Sequence, residues 1–224
     1  MASVINEDFE LLSVADLQGQ GSWTGPASKF DVQSSVTQAG SRAVKGTAPG
    51  GVNGAFRVFG AYVTAGEQTI YINHNADRVG VDAKMVILNT TSPTTTDYTA
   101  NGSGCIGLFR EAGPDLRASV MTGDNNETGR IDIATGLSFG TWYKFKIEWD
   151  NSLGTFGQFR GSYNDGSPTA YIDATVGITF SVLGIGSICL AQNDSATPTT
   201  VYYDTLGSTA AANTNFFMFM SPDR

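Results

Sequence analysis

Apolar and polar positions alternate along this chain in short runs, and helical spacing persists almost nowhere, because Gly, Pro or clusters of Thr and Ser interrupt nearly every window of about 11 residues. The runs predict strands at Phe30–Val36, Ala55–Val63, Thr69–Asn73, Gly80–Leu88, Gly104–Arg110 and Leu116–Met121. They continue at Arg130–Ala134, Trp142–Trp149, Gly157–Tyr163, Thr169–Asp173, Ser187–Gln192 and Thr200–Leu206. Twelve short strands fit a two-sheet antiparallel sandwich.

The clearest strand is Trp142–Trp149. Lys144, Lys146 and Glu148 share one face, so Tyr143, Phe145, Ile147 and Trp149 point to the core. Each buried side chain contributes roughly 1.5–3 kcal/mol before the ordering cost is subtracted. Gly140-Thr141 before it and Asp150-Asn151 after it supply turn chemistry, and the Asp-Gly pair in Asn164-Asp165-Gly166 favours a tight hairpin. Thr90–Tyr98, rich in Thr and carrying Pro93, reads as a surface loop. No internal repeat or low-complexity linker divides the body, so residues 1–207 read as one domain and 208–224 as a C-terminal tail.

Composition narrows the picture. Of 224 residues, 41% are hydrophobic, enough for a full core, and only 15% are charged. The net charge of -8, with no basic run, disfavours nucleic acid as a partner. No apolar run approaches the ~20 residues a spanning helix needs, so membrane insertion is not expected. Met1–Phe9 shows neither a basic leader nor an apolar stretch, and no signal peptide is visible. Cys105 and Cys189 could pair across two sheets, but such sparse use fits small apolar core residues better.

Four stretches carry a resemblance. Asp8-Phe9-Glu10 with Trp23-Thr24-Gly25 looks like an opening strand, and Gly140–Asp150 like a central strand entered through a small-residue turn. Gly157–Gly166 looks like the next strand and its turn, and Val201–Leu206 like a closing strand. Together they resemble the concanavalin A-like lectin and glucanase superfamily, with its laminin-G-like and carbohydrate-binding jelly rolls. The resemblance implies an all-β antiparallel two-sheet jelly roll whose last strand lies beside the first. It also implies a structural Ca2+ clasped by Glu10 and Asp204. Independently, Asp124, Asn126, Thr128 and Asp132, with Gly129 at the turn, imitate part of an EF-hand loop, although Thr135 stands where a Glu belongs.

Catalytic templates are sparse. The glucanases of the resembled superfamily set their acids along one strand, and the six Glu residues here, at 7, 10, 67, 111, 127 and 148, offer no such pair; Glu148-Trp149-Asp150 comes nearest. His74, the single histidine, lacks a metal-binding context and reads as a polar loop residue. Gly102–Gly107 matches a dinucleotide fingerprint, but Gly113-Pro114 blocks the helix it needs. For glycan binding, which sets an aromatic face against a pyranose ring, the candidates are Trp23, Tyr62 and Tyr98. Phe216, Phe217, Met218, Phe219 and Met220 form an apolar tail suited to an intersubunit contact in a homo-oligomer or larger assembly. The resulting expectation is a non-enzymatic structural or adhesion protein, a phage capsid-decoration or fibre component on a virion or extracellular surface, with possible glycan binding. A stand-alone carbohydrate-binding module and a glycoside hydrolase are the alternatives.

Overall fold

The computed structural model describes residues 5–207 apart from 26, 49–50, 76–83, 90–101, 111–115, 123–128, 175–183 and 195–198. Thirteen strands are found among the described residues. They are β1 (Phe30–Gln33), β2 (Ala43–Ala48), β3 (Gly51–Val63), β4 (Ala65–His74), β5 (Lys84–Asn89), β6 (Gly102–Arg110) and β7 (Leu116–Thr122). β8 (Arg130–Leu137), β9 (Trp142–Asp150), β10 (Gln158–Tyr163), β11 (Ile172–Asp173), β12 (Ile185–Asp194) and β13 (Thr199–Asp204) follow. A seven-stranded sheet runs β1-β2-β13-β4-β9-β10-β11 and a six-stranded sheet runs β3-β12-β5-β6-β7-β8, every pairing antiparallel. All twelve expected strands have a counterpart. β2 is new: Ala43–Ala48, interrupted by Gly46, has no apolar alternation, and the chain adopts a strand there because β1 and β13 flank it.

β9 lies between β4 and β10 near the middle of its sheet. Phe145, Ile147 and Trp149 are buried in the core as their spacing predicts, with Phe159 beside them on β10. The six-stranded sheet answers with Val86, Leu88, Ile106, Leu108, Ala118, Val120, Ile188 and Leu190. Where the sheets meet, Gly104 of β6 leaves room for Phe159; a Cβ there would stand 2.6 Å from two ring carbons. Gly104 and its neighbours therefore serve a β-strand, not a nucleotide-binding turn.

The six-stranded sheet carries an apolar row on its outer face as well. In register across five strands lie Phe56, Cys189, Ile87, Cys105 and Met121, all buried. The cysteines occupy one sheet with Ile87 of β5 between them, two strand spacings of about 4.8 Å apart. That exceeds the roughly 7 Å Cα limit for a disulfide, so they do not pair with each other. Burial pushes the Cys189 thiol up, so it stays protonated.

The opening segment departs from expectation. Asp8-Phe9-Glu10 is not a strand: Phe9 has φ of 63° and is fully buried, and Glu7 meets Leu206 in an isolated bridge. Through that bridge the segment after β13 lies beside the start of the chain. The turn after β10 is also shifted by one residue: Asn164 and Asp165 take positive φ, and the Gly166 N–H closes the turn on the Tyr163 carbonyl at 2.8 Å.

Candidate active site

The strand alternation that buries Phe145, Ile147 and Trp149 turns Lys144, Lys146 and Glu148 to the outer face of the seven-stranded sheet. Pairing of β4 with β9 sets Glu67 directly opposite Glu148, Thr69 opposite Lys146 and Tyr71 opposite Lys144. On the other side, β10 sets Arg160 opposite Glu148. Directly opposed residues of like charge repel, and a pair of facing carboxylates persists only with cations between them. Lys146 supplies one: its Nζ donates to Glu148 Oε1 at 2.8 Å and lies 3.7 Å from Glu67 Oε2. Arg160 Nε donates to Glu148 Oε2, while its guanidinium stacks 4.5 Å over the Tyr171 ring.

Burial pushes the Glu148 carboxyl up, but hydrogen bonds from Lys146 and Arg160, together with their charges, outweigh it and hold the group below the usual carboxylate range. Burial acts against the Lys146 ammonium too, and Glu148 and Glu67 reverse it, keeping the cation firmly charged. Glu148 is thus a carboxylate held ionised, with a second carboxylate facing it. Both approach the same ammonium, from directly opposed strand positions whose Cβ atoms lie about 4.5–5.5 Å apart.

The other expected residues fare differently. Trp23 is 1% exposed and packs on Phe9 with ring centroids 6.1 Å apart, so its place as an exposed sugar platform is corrected; a loop position says nothing about which way an indole turns. Tyr62 is 49% exposed. Tyr98 lies outside the described residues, as do Asp124, Asn126, Thr128 and the tail residues Phe216, Phe217, Met218, Phe219 and Met220. Asp132 is engaged by Arg117 at 2.9 Å and by the Ser119 hydroxyl at 2.6 Å.

Glu10 and Asp204 grip one loop from two sides. Glu10 accepts from the Ser41 and Arg42 amides, each at 2.9 Å, and from the Ser41 hydroxyl at 2.7 Å. Asp204 accepts from the Gln38, Ala39 and Thr205 amides. Their oxygens face N–H donors, and among the described residues no group of three or more His, Cys, Asp or Glu is placed to hold a metal ion. His74 is not in a loop but ends β4, buried beside Phe139.

Glu67 is the residue that reading the sequence missed. It sits 81 positions from Glu148, and the only local signal was its place at the head of an alternating run.

No protein-family model matches the chain, and no curated protein matches it. Solved structures do. An alginate lyase, Aly36B, superposes with a TM-score of 0.58 at 12% identity, covering 91% of this chain and 95% of the other. The endo-β-1,4-glucuronan lyase of the fungus Trichoderma reesei superposes at 0.52 with 15% identity, covering 91% and 93%. The cellulose induced protein Cip1 gives 0.53 at 16% identity, covering 90% and 95%.

The fold is the concanavalin A-like jelly roll. This identification corrects the expectation of a non-enzymatic virion component: the structures that share the architecture over nine-tenths of both chains are largely carbohydrate-active enzymes. At 8–16% identity the concanavalin A-like likeness establishes the fold, while chemistry has to be read from this chain's own residues.

Proposed function

We propose that the protein is a glycan-cleaving enzyme, a glycoside hydrolase of the retaining kind, working on the outer face of the seven-stranded sheet. The observation that carries this reading is the facing of Glu67 and Glu148 across β4 and β9 around the shared Lys146. Glu148, held ionised by Lys146 and Arg160, is the nucleophile, and Glu67, facing it, serves as the acid after taking up a proton with the substrate. Glu67 gives its proton to the glycosidic oxygen as the bond to the anomeric carbon breaks, and the Glu148 carboxylate bonds to that carbon. Water then displaces Glu148, Glu67 taking the water's proton, so that the sugar leaves with its configuration retained and both carboxyls return to their starting states. The fold's occurrence in enzymes that act on polysaccharides supports the same reading.

A specific observation favours a second mode of cleavage. Tyr71 lies opposite Lys144, two residues along from the Thr69–Lys146 pair, so a tyrosine and two ammonium groups share the face. That combination suits β-elimination on a uronic acid, in which cations neutralise the carboxylate and a tyrosine moves the proton. Incubation with neutral and uronate polysaccharides separates the two. Reducing ends with a retained anomer, abolished in both Glu148→Gln and Glu67→Gln, support hydrolysis. Ultraviolet absorbance of an unsaturated product, lost in Tyr71→Phe, supports elimination. Absence of product from every polysaccharide overturns both.

A further inference from the structure

A second site stands on the other sheet. Between the pairs Ile185↔Val63 and Ser187↔Val58, a step of two residues on β12 is matched by a step of five on β3. The surplus residues are pushed out of the ladder as a bulge, a device that re-aims side chains next to binding sites. Gly60 takes φ of 70°, which a side-chain-bearing residue rarely adopts, and Gly60, Ala61 and Tyr62 all stand exposed. Beneath them opens a cavity of about 210 Å³ lined by Val58, Gly60, Ala61, Tyr62 and Gly186. Val58 and Tyr62, at 47% and 49% exposure, are two of the four large hydrophobic side chains exposed among the described residues.

We infer that this bulge forms a non-catalytic sugar-binding site that stacks one pyranose ring of a neutral glycan on Tyr62. An exposed aromatic face beside an apolar hollow suits the C–H face of a pyranose. Among the described residues the lining carries no charge, so a neutral ring is accommodated without loss of solvation, whereas a uronate carboxylate finds no cation there to replace its water.

A second observation gives the site direction. Val58, Ser187 and Asn89 pair in register across β3, β12 and β5. Asn89 is 1% exposed, and neither polar atom of its carboxamide has a hydrogen-bond partner. A buried amide left so is costly, and sugar hydroxyls, which both donate and accept, match both of its polar atoms. Asn89 lies about two strand spacings of 4.8 Å from Val58, the span over which a second ring would extend across the strands.

The test is calorimetric titration of the full chain with cellohexaose, hexamannuronate serving as the acidic control, in a Glu148→Gln background that prevents cleavage. Cellohexaose binds more tightly than hexamannuronate; Tyr62→Ala weakens it about tenfold or more, as loss of an aromatic anchor does, while Tyr62→Phe keeps the stack and the affinity. Because Tyr62 is exposed, the melting temperature of Tyr62→Ala stays that of the parent. The Asn89 side-chain amide resonances move on addition of cellohexaose. Equal affinity of Tyr62→Ala, preference for the acidic control, or no binding overturns the site, and still Asn89 resonances overturn its two-ring extent. None of these outcomes bears on Glu67 and Glu148, whose failure is read from the cleavage products alone.

Discussion

The two outer faces of this sandwich were built by the same alternation and ended opposite in character. On the six-stranded sheet, Phe56, Cys189, Ile87, Cys105 and Met121 form an apolar row that is as buried as the core. On the seven-stranded sheet, Lys144, Lys146, Glu148, Glu67 and Arg160 form a partly exposed ionic lattice. The first row stabilises by excluding water and carries no charge, the Arg117, Arg130 and Asp132 pairs of that sheet lying toward its β7–β8 edge. The second holds charges that each need a partner, and a group so held is chemically usable. That contrast is what supports placing the proposed reaction on the charged face and the proposed sugar site at the bulged margin of the other.

The largest effect that can break this comparison is a charge placed on the apolar face. Ile87→Asp leaves a carboxylate buried without a partner and costs more than about 4 kcal/mol, read as a collapse of the denaturation midpoint. On the charged face, Tyr71→Lys costs no more than about 1 kcal/mol. Equal costs would show that the faces do not differ as described.

Next in size is the loss of the proposed nucleophile. Glu148→Gln lowers turnover by about 10²–10⁴-fold while the chain stays folded. Stability should then depend less on acid. Glu148 has its folded-state carboxyl held below the unfolded value of 4.5, so its contribution is present above that pH and fades as pH falls through the folded value. The parent therefore loses stability below about pH 4.5, and Glu148→Gln flattens that limb in melts taken across the acid range. Asp204 acts in the other direction: burial raises it despite the amides it accepts from, so its contribution declines as pH rises above the unfolded 3.8.

A smaller effect belongs to the seam between the sheets. Gly104→Ala presses a methyl group into the buried Phe159 ring and costs about 1–3 kcal/mol by overpacking. The smallest belongs to the rim of the charged face. Lys144 bonds Asp165 at 2.7 Å, but that carboxylate is 76% exposed, so Lys144→Ala changes stability by only about 0–1 kcal/mol. A larger loss would mean that the lattice is load-sharing rather than a set of local pairs.

The strands were legible because burial on one face writes a period of two into the chain. Trp142–Trp149 showed it most plainly, and its core residues are those it predicted. The doubly buried sheet had left a signal as well: Met85-Val86-Ile87-Leu88 and Ile188-Cys189-Leu190-Ala191 are continuous apolar runs, the mark of strands covered on both faces. The aromatic candidates split, Trp23 turning inward onto Phe9 and Tyr62 outward on a bulge, since neither direction is encoded by local polarity.

By itself, then, the chain determined that it would be all-β, where most strands would lie and which side chains of β9 would be buried, since these follow from alternation and turn chemistry within a few residues. Tertiary structure alone decided that Ala43–Ala48 is a strand, that Glu10 and Asp204 hold amides of one loop, and that Glu67 faces Glu148. Those facts depend on register between strands distant in sequence, which hydrogen bonding and core packing of the whole sandwich select together.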